Sequence, residues 1–234
     1  MPAARRRRKP ALEDADANSA GLWVGIEPES SRRLLLAALA AFAARGFQAA
    51  TTREIGEGAG MSPAAVYVHY DAKSDLLYEI SRIGHQSVLD AVEEALRAAP
   101  QDPEHRVRRF VAAFAKWHAD HHVVARVIQY ELKALPPGQF RSIAKLRKRF
   151  EELLAAELQA GVDAGTFDVP ELEATTLAIL SLCIDLARWY HPGDDHKTSE
   201  QVGGFYADLV GRMIIHPDRA AKRARVGKAA AADG

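Results

Sequence analysis

Apolar residues recur at spacings of three and four along almost the whole chain, and no stretch alternates apolar and polar residues as a half-buried strand would. That periodicity restricts the fold to helices packed on helices, because a 3.6-residue repeat cannot present one continuous apolar face as a pleated sheet. Glycines and prolines cut the pattern into about nine segments. The expected architecture is all-α. With 234 residues and 48% hydrophobic content, the chain can bury a substantial core in one large domain or two smaller ones.

The segments follow from their stop and start signals. A first helix is expected from Ser31 to Arg45, with Ser30 as cap and Gly46 as stop, and it carries Leu34, Leu35, Ala38 and Phe42 on one face. A short second helix opens at Thr51, which stands at capping-box spacing from Glu54, and reaches about Gly58. Ser62 followed by Pro63 signals a third short helix to about Tyr70. A long fourth, with Leu76, Leu77, Ile80, Ile83, Val88 and Val92, reaches Ala99. Asp102 caps a fifth beginning at Pro103, whose face of Val107, Phe110, Val111 and Phe114 leads to Trp117. A sixth covers "DHHVVARVIQYELKAL" and ends at Pro136-Pro137. The seventh carries Ile143, Leu146, Phe150, Leu153, Leu154 and Leu158, keeps Arg141, Lys145, Lys148 and Arg149 off that stripe, and is closed by Gly161 and Gly165. Pro170 to Tyr190 forms an eighth, apolar nearly all round from Leu177 to Leu186, and Ser199 to about His216 a ninth. Residues 1–28 and 217–234, polar and broken by proline and glycine, read as flexible ends.

Charge and cysteine content narrow the chemistry. Lys+Arg 31 balances Asp+Glu 31, so any contact with nucleic acid must come from local placement of charge. A single cysteine, Cys183, excludes an intrachain disulfide framework and a cysteine-rich zinc site, and suits a reducing cytoplasm. The longest apolar run, Leu34 to Ala44, falls short of the roughly 20 residues a membrane span requires. The basic run Arg5 to Lys9 is not followed by the apolar stretch of a secretory signal. A cytoplasmic protein is expected.

Two short helices joined by a glycine-containing turn and braced by a longer one match a helix-turn-helix, whose second member enters the DNA major groove. The turn and second member lie in "AGMSPAAVYVHYDAKSDLL", residues 59–77. Leu34-Leu35, Ala37-Ala38, Phe42, Gly46-Phe47, Thr51, Ile55, Ala59-Gly60, Ser62, Tyr67, His69-Tyr70, Lys73 and Leu76-Leu77 resemble the signature of the TetR family of bacterial repressors. Three positions depart from it: Gly56 replaces the usual alanine, Val66 a leucine and Tyr70 a phenylalanine. Gly56 is expected to cost about 1 kcal/mol of local helix stability.

The resemblance implies a helix-turn-helix domain over residues 29–80, preceded by the basic arm 1–28, and a helical ligand-binding and dimerisation domain over 81–216, with 217–234 as a tail. It also makes Tyr67, His69 and Lys73 phosphate contacts, with Thr51 adding one from the second helix. Thr52, Ser62, Pro63 and Tyr70 join the expected DNA surface, where helix-start N–H groups can hold phosphate oxygens. Tyr67 and Tyr70 can equally be packing residues with wetted hydroxyls. The third helix has no Arg, Lys, Asn or Gln to grip a base edge in bidentate fashion. Specificity must then come partly from elsewhere: Arg53 is expected to reach a base or phosphate from the second helix, Ala64 and Ala65 to contact thymine methyls, and Arg5–Arg8 to enter a flanking minor groove; the arginine run reads alternatively as a solvated tail.

An eighth helix apolar on several faces is expected to pack also on a second copy, giving a homodimer through helices eight and nine that selects a palindromic operator of double-stranded DNA. Phe114, Trp117, His118, Ile128, Tyr130 and Trp189 are the expected walls of an effector pocket, with Arg147 and Arg188 at its mouth. "RWYHPG", "EQVGGFY" and "HHVVARVIQYELKAL" resemble actinobacterial repressors of sterol-ring and fatty-acid catabolism, which implies an acyl-CoA effector. The fourth helix is then the expected lever between sensor and DNA head. A repressor of an efflux pump, sensing lipophilic drugs through Asp185 or Glu131, is the alternative. A metal-dependent enzyme would have to use Asp120, His118, His121 and His122, which stand at a helix junction where capping or exposure is the simpler role. No Glu-x-x-His pair, Gly-x-Ser-x-Gly elbow or phosphate-cradling glycine loop supports that reading. No catalytic residue, cofactor or metal is expected.

Overall fold

The computed structural model describes residues 20–193 and 197–215. Arg5–Arg8, the tail from residue 217 and the expected end of the ninth helix at His216 lie outside the described residues. Nine principal helices account for nearly all the rest: α1 (Glu29–Ala49), α2 (Thr52–Gly58), α3 (Pro63–His69), α4 (Lys73–Arg97), α5 (Pro103–Asp120), α6 (His122–Tyr130), α7 (Pro137–Asp163), α8 (Leu172–Ile184) and α9 (Ser199–Ile214). Three single turns join them: Ala20–Trp23, Leu132–Ala134 and Leu186–Trp189. The last is set off from α8 at Asp185, so the expected eighth helix is broken near its end.

Two compact units contain these elements. The first comprises the described residues up to Ser87 together with Asp120–Lys145; the second comprises Val88–Ala119 and the described residues from Leu146 onward. In the first, α1 packs on α2 and on α6, and α2 packs on α3. Leu34, Leu35, Leu39, Phe42, Ile55, Val66, Leu76, Leu77 and Ile80 are buried there, each Leu, Ile or Phe contributing about 1.5–3 kcal/mol of burial. Trp23 is only 1% exposed, so the last described part of the expected arm, residues 20–28, is anchored by its indole before α1 begins. The α1 cap is Pro28 and not Ser30: Pro28 holds the extended conformation, and its carbonyl accepts the Ser31 N–H at 2.8 Å. Helical geometry fails at Gly46, where the expected stop lies, and one further turn carries the chain to Ala49.

The second unit is cross-braced between helices. Arg106 of α5 makes a forked pair with Glu157 of α7 (2.6 and 2.7 Å), and Arg108 pairs with Glu104 and with Asp208 of α9. Asp102 caps α5 as expected, accepting the His105 N–H at 3.0 Å. Phe114 packs edge-on against Phe150 of α7, with ring centroids 5.6 Å apart. The α7 terminus is fastened to the end of α9 by a bridge between Phe167 and Ile215. Among the described residues no helix is long and apolar enough to cross a membrane.

Candidate nucleic-acid interface

The geometry of α2 and α3 is set by their ends. Thr51 and Glu54 form a reciprocal capping box: Thr51 Oγ1 accepts the Glu54 N–H at 3.2 Å, and the Thr51 N–H donates to Glu54 Oε2 at 3.1 Å. At the other end, the Gly60 N–H reaches the Glu57 carbonyl (3.1 Å) and the Met61 N–H reaches the Gly56 carbonyl (2.8 Å). These two bonds make a Schellman turn, which needs a left-handed residue, and Gly60 supplies it at φ +67°. Ser62 Oγ then accepts the Ala65 N–H at 3.2 Å and starts α3, with Pro63 in its first turn. Gly56 has a reason beyond propensity. A Cβ there would stand 3.2 Å from the Met61 carbonyl oxygen and 3.2 Å from Val66 Cγ2, so its absence lets α2 and α3 close on each other.

This turn leaves a defined outward face on α3. Ser62, Pro63, Ala64, Tyr67 and Val68 are exposed, while Val66 is buried against the unit's core. Tyr67 Oη lies 3.1 Å from Thr52 Oγ1 of α2, joining the two helices by a hydroxyl pair. Whichever hydroxyl donates within the pair, the other keeps its proton for an outside acceptor, so the pair can always offer an O–H to a phosphate oxygen. Arg53 is exposed and held by Glu57 at 2.9 Å, and Arg45 is held by Glu54 at 2.7 Å. His69 Nδ1 lies 3.4 Å from Ser31 Oγ of α1.

Two of the expected DNA contacts are turned inward. Lys73 Nζ donates to the carbonyls of Phe47 (2.5 Å) and Ala50 (2.7 Å), lies 3.4 Å from that of Gln48, and sits 4.3 Å from the centre of the Phe47 ring. Those carbonyls close α1, where a cation is stabilised by the helix dipole. The ammonium thus caps α1, and a phosphate contact would draw it away from these bonds. Tyr70 is half-buried, its phenol pushed above the ordinary range mainly by burial and opposed by a hydrogen bond with Ser31. Two residues escaped sequence reasoning. Val68 is 81% exposed, although its position i+4 from Ala64 was legible. Arg33 is exposed with its guanidinium 3.7 Å from where a Cβ of Gly60 would sit, and its place off the Leu34-Leu35 stripe was the available signal.

The expected effector residues divide. Phe114, Trp117 and His118 cluster in the second unit, with ring centroids 4.5 Å (Phe114–His118) and 5.2 Å (Trp117–His118) apart, all buried. His118 Nδ1 lies 2.7 Å from the Phe114 carbonyl and so donates to it. Arg147 is half-buried, and burial holds its guanidinium below the usual range against the opposing charge of Glu151. Trp189 and Arg188 stand at the surface, the latter paired with Asp185 at 2.7 Å, so neither joins that cluster. Ile128 is buried and Tyr130 exposed in the first unit. A groove of about 230 Å³ between α7 and α8 is lined by Glu151, Glu152, Glu173, Lys148, Leu172 and Leu177 among others, none of them expected. Among the described residues no three His, Cys, Asp or Glu side chains stand close enough to share a metal ion.

A capped pair of short helices, a Schellman turn and an exposed hydroxyl-bearing second helix define a helix-turn-helix regulator carrying a separate helical domain. Residues 34–80 match the bacterial regulatory proteins of the tetR family, and residues 100–214 match the tetracyclin repressor-like C-terminal domain. The HTH-type transcriptional repressor KstR2 of Rhodococcus jostii strain RHA1 is 32% identical over 188 residues, covering 78% of this chain and 90% of the relative. Among solved structures, a tetR-family regulatory protein from Rhodococcus RHA1 is 41% identical with a TM-score of 0.73, over 79% of this chain and 96% of that one. The ketosteroid transcriptional regulator KstR2 of Mycobacterium tuberculosis is 25% identical with a TM-score of 0.73, over 82% and 97%. The chain belongs to the tetR family of bacterial regulatory proteins and is a transcriptional regulator, not an enzyme.

Proposed function

We propose that this chain is a cytoplasmic homodimeric repressor that holds a palindromic operator and releases it on binding an acyl-CoA thioester from sterol-ring or fatty-acid catabolism. The observation that carries the DNA half is the Thr52–Tyr67 hydroxyl pair on the outward face of a fully capped helix-turn-helix. The effector half is supported by similarity to repressors of the KstR2 type, one of them a ketosteroid transcriptional regulator, and by the buried aromatic cluster of Phe114, Trp117 and Phe150. Leu177 on α8 and Phe205 and Met213 on α9 are exposed apolar side chains, which suits pairing of these helices with a second copy.

Release requires an element with two positions. Asp75 caps the start of α4 by accepting the Ala72 N–H (2.8 Å), and its other oxygen accepts from Gln139 of α7 at 2.6 Å, so a shift of either helix reaches the DNA head. The three glutamates and apolar walls of the α7–α8 groove favour a cationic lipophile there over a phosphorylated ligand, and this supports an efflux-pump repressor as the second reading. Calorimetry of the full chain with acyl-CoAs, free CoA, free fatty acids and cationic drugs separates the two: heat from the thioesters alone is expected, and heat from the drugs alone overturns the first. Light scattering tests the dimer with Leu177→Glu plus Phe205→Glu, expected to be a folded monomer; a persistent dimer places the interface elsewhere.

A further inference from the structure

We infer that Val68 reads the C5-methyl group of a thymine and, with Ala64, makes base recognition by this repressor depend on methyl contact. The inference rests on the DNA-binding reading above and adds a specificity determinant to it. Val68 is 81% exposed next to the last residue of α3, one turn beyond exposed Ala64, so the two side chains form an apolar strip along the outward face. Nothing in the unit's packing requires a valine there, and a β-branched residue on a solvated helix face gains nothing in helix propensity.

Polar recognition does not account for that strip. The outward residues of α3 are Ser62, Pro63, Ala64, Tyr67 and Val68, and the Tyr67 hydroxyl is paired with Thr52 on the α2 side. Hydroxyls placed between two helices suit phosphate, while the apolar strip is left for the groove floor. In the major groove only thymine presents a methyl group, and small aliphatic side chains are its partners. A cytosine at that position lacks the methyl group, so thymine is preferred by the apolar contact that only it can make.

The test uses a duplex selected in vitro from a random pool with the full chain. Affinities are measured by fluorescence anisotropy at fixed salt while each thymine is replaced singly by deoxyuridine, which removes only the methyl group. One thymine per half-site is expected to lose about fourfold in affinity, the worth of one buried methyl-sized group. In Val68→Ala that loss should disappear, the two changes being non-additive. Val68 is exposed, so Val68→Ala keeps its fold, and far-UV circular dichroism checks this. Equal binding of every uridine duplex, or undiminished uridine sensitivity in Val68→Ala, overturns the assignment. Failure of the wild-type chain to retain any duplex overturns the DNA-binding reading beneath it, a distinct result.

Discussion

Replacing Lys73 separates a capping role from a phosphate contact. Lys73→Met keeps an unbranched stem of similar length and removes all three ammonium donors. Its losses are two short charge-assisted bonds to the Phe47 and Ala50 carbonyls and the contact over the Phe47 ring. A bond to a charged group is worth about 1.5–3 kcal/mol, but both bonds are only part-buried and water can take up some of the loss, so the summed cost is about 2–3 kcal/mol. For a chain of this size that lowers Tm by roughly 5–10 °C. The second measurement is the slope of log K against log salt for a selected duplex, taken well below the unfolding range. An ammonium spent inside the protein releases no counterions, so the slope should match wild type. A phosphate contact made once per subunit would instead reduce it by about 1.8. An unchanged Tm with a slope reduced by that amount refutes the capping argument.

Tyr67→Phe is expected to leave Tm unaltered, since the residue is 53% exposed, while two subunits each lose a bond worth about 1 kcal/mol, giving roughly 30-fold weaker operator binding by anisotropy. Unchanged affinity removes the hydroxyl pair from the interface. Burial pushes the Cys183 thiol from an ordinary 9.0 up to about 12, so the folded state holds its proton more tightly than the unfolded state does. The unfolded chain releases that proton first as pH rises, so stability is full below pH 9 and is lost between pH 9 and about 12. Urea titrations should show wild type losing about 1.4 kcal/mol more per pH unit than Cys183→Ala in that window. Equal losses would mean the thiol is not shielded.

Helix ends were the most legible part of the fold. Thr51 with Glu54, Ser62 with Pro63, and Asp102 all carry local signals whose hydrogen bonds close within four residues, and all three caps form as expected. Ser30 failed because Pro28 fixes the extended conformation before it, and the eighth helix breaks at Asp185 where Arg188 reaches back to pair with it. The helix-turn-helix was legible for the same reason as the caps. The direction of a long side chain was not. Whether Lys73 reaches outward or back to α1 depends on where the carbonyls of residues 47–50 lie, a relation across 23 to 26 residues that no local pattern encodes. The effector residues were the least legible, because apolar spacing identifies a buried stripe without telling which stripes face a cavity.

The inward turn of Lys73 bears on how a chain with no net charge can hold DNA. Around α2 and the start of α4 the cations are already engaged: Arg45 by Glu54, Arg53 by Glu57, Arg82 by Glu79 and Lys73 by backbone carbonyls. An exposed ion pair is worth only about 0–1 kcal/mol, so Arg53 can exchange Glu57 for a phosphate at little cost, whereas Lys73 would have to abandon two short bonds. Arg33 and Arg53 are thus the cations that this face offers most cheaply. Two from each subunit make four phosphate neutralisations per dimer, or a salt slope of about −3.6. A steeper slope requires cations from elsewhere, and the run Arg5–Arg8 is the densest supply in the sequence. Deleting residues 1–10 decides between these sources. If the full chain shows a slope well beyond −3.6 that falls to about that value in the shortened chain, the arginine run supplies the difference. If the slope stays steep after the deletion, the count of cations on the helix-turn-helix face is wrong.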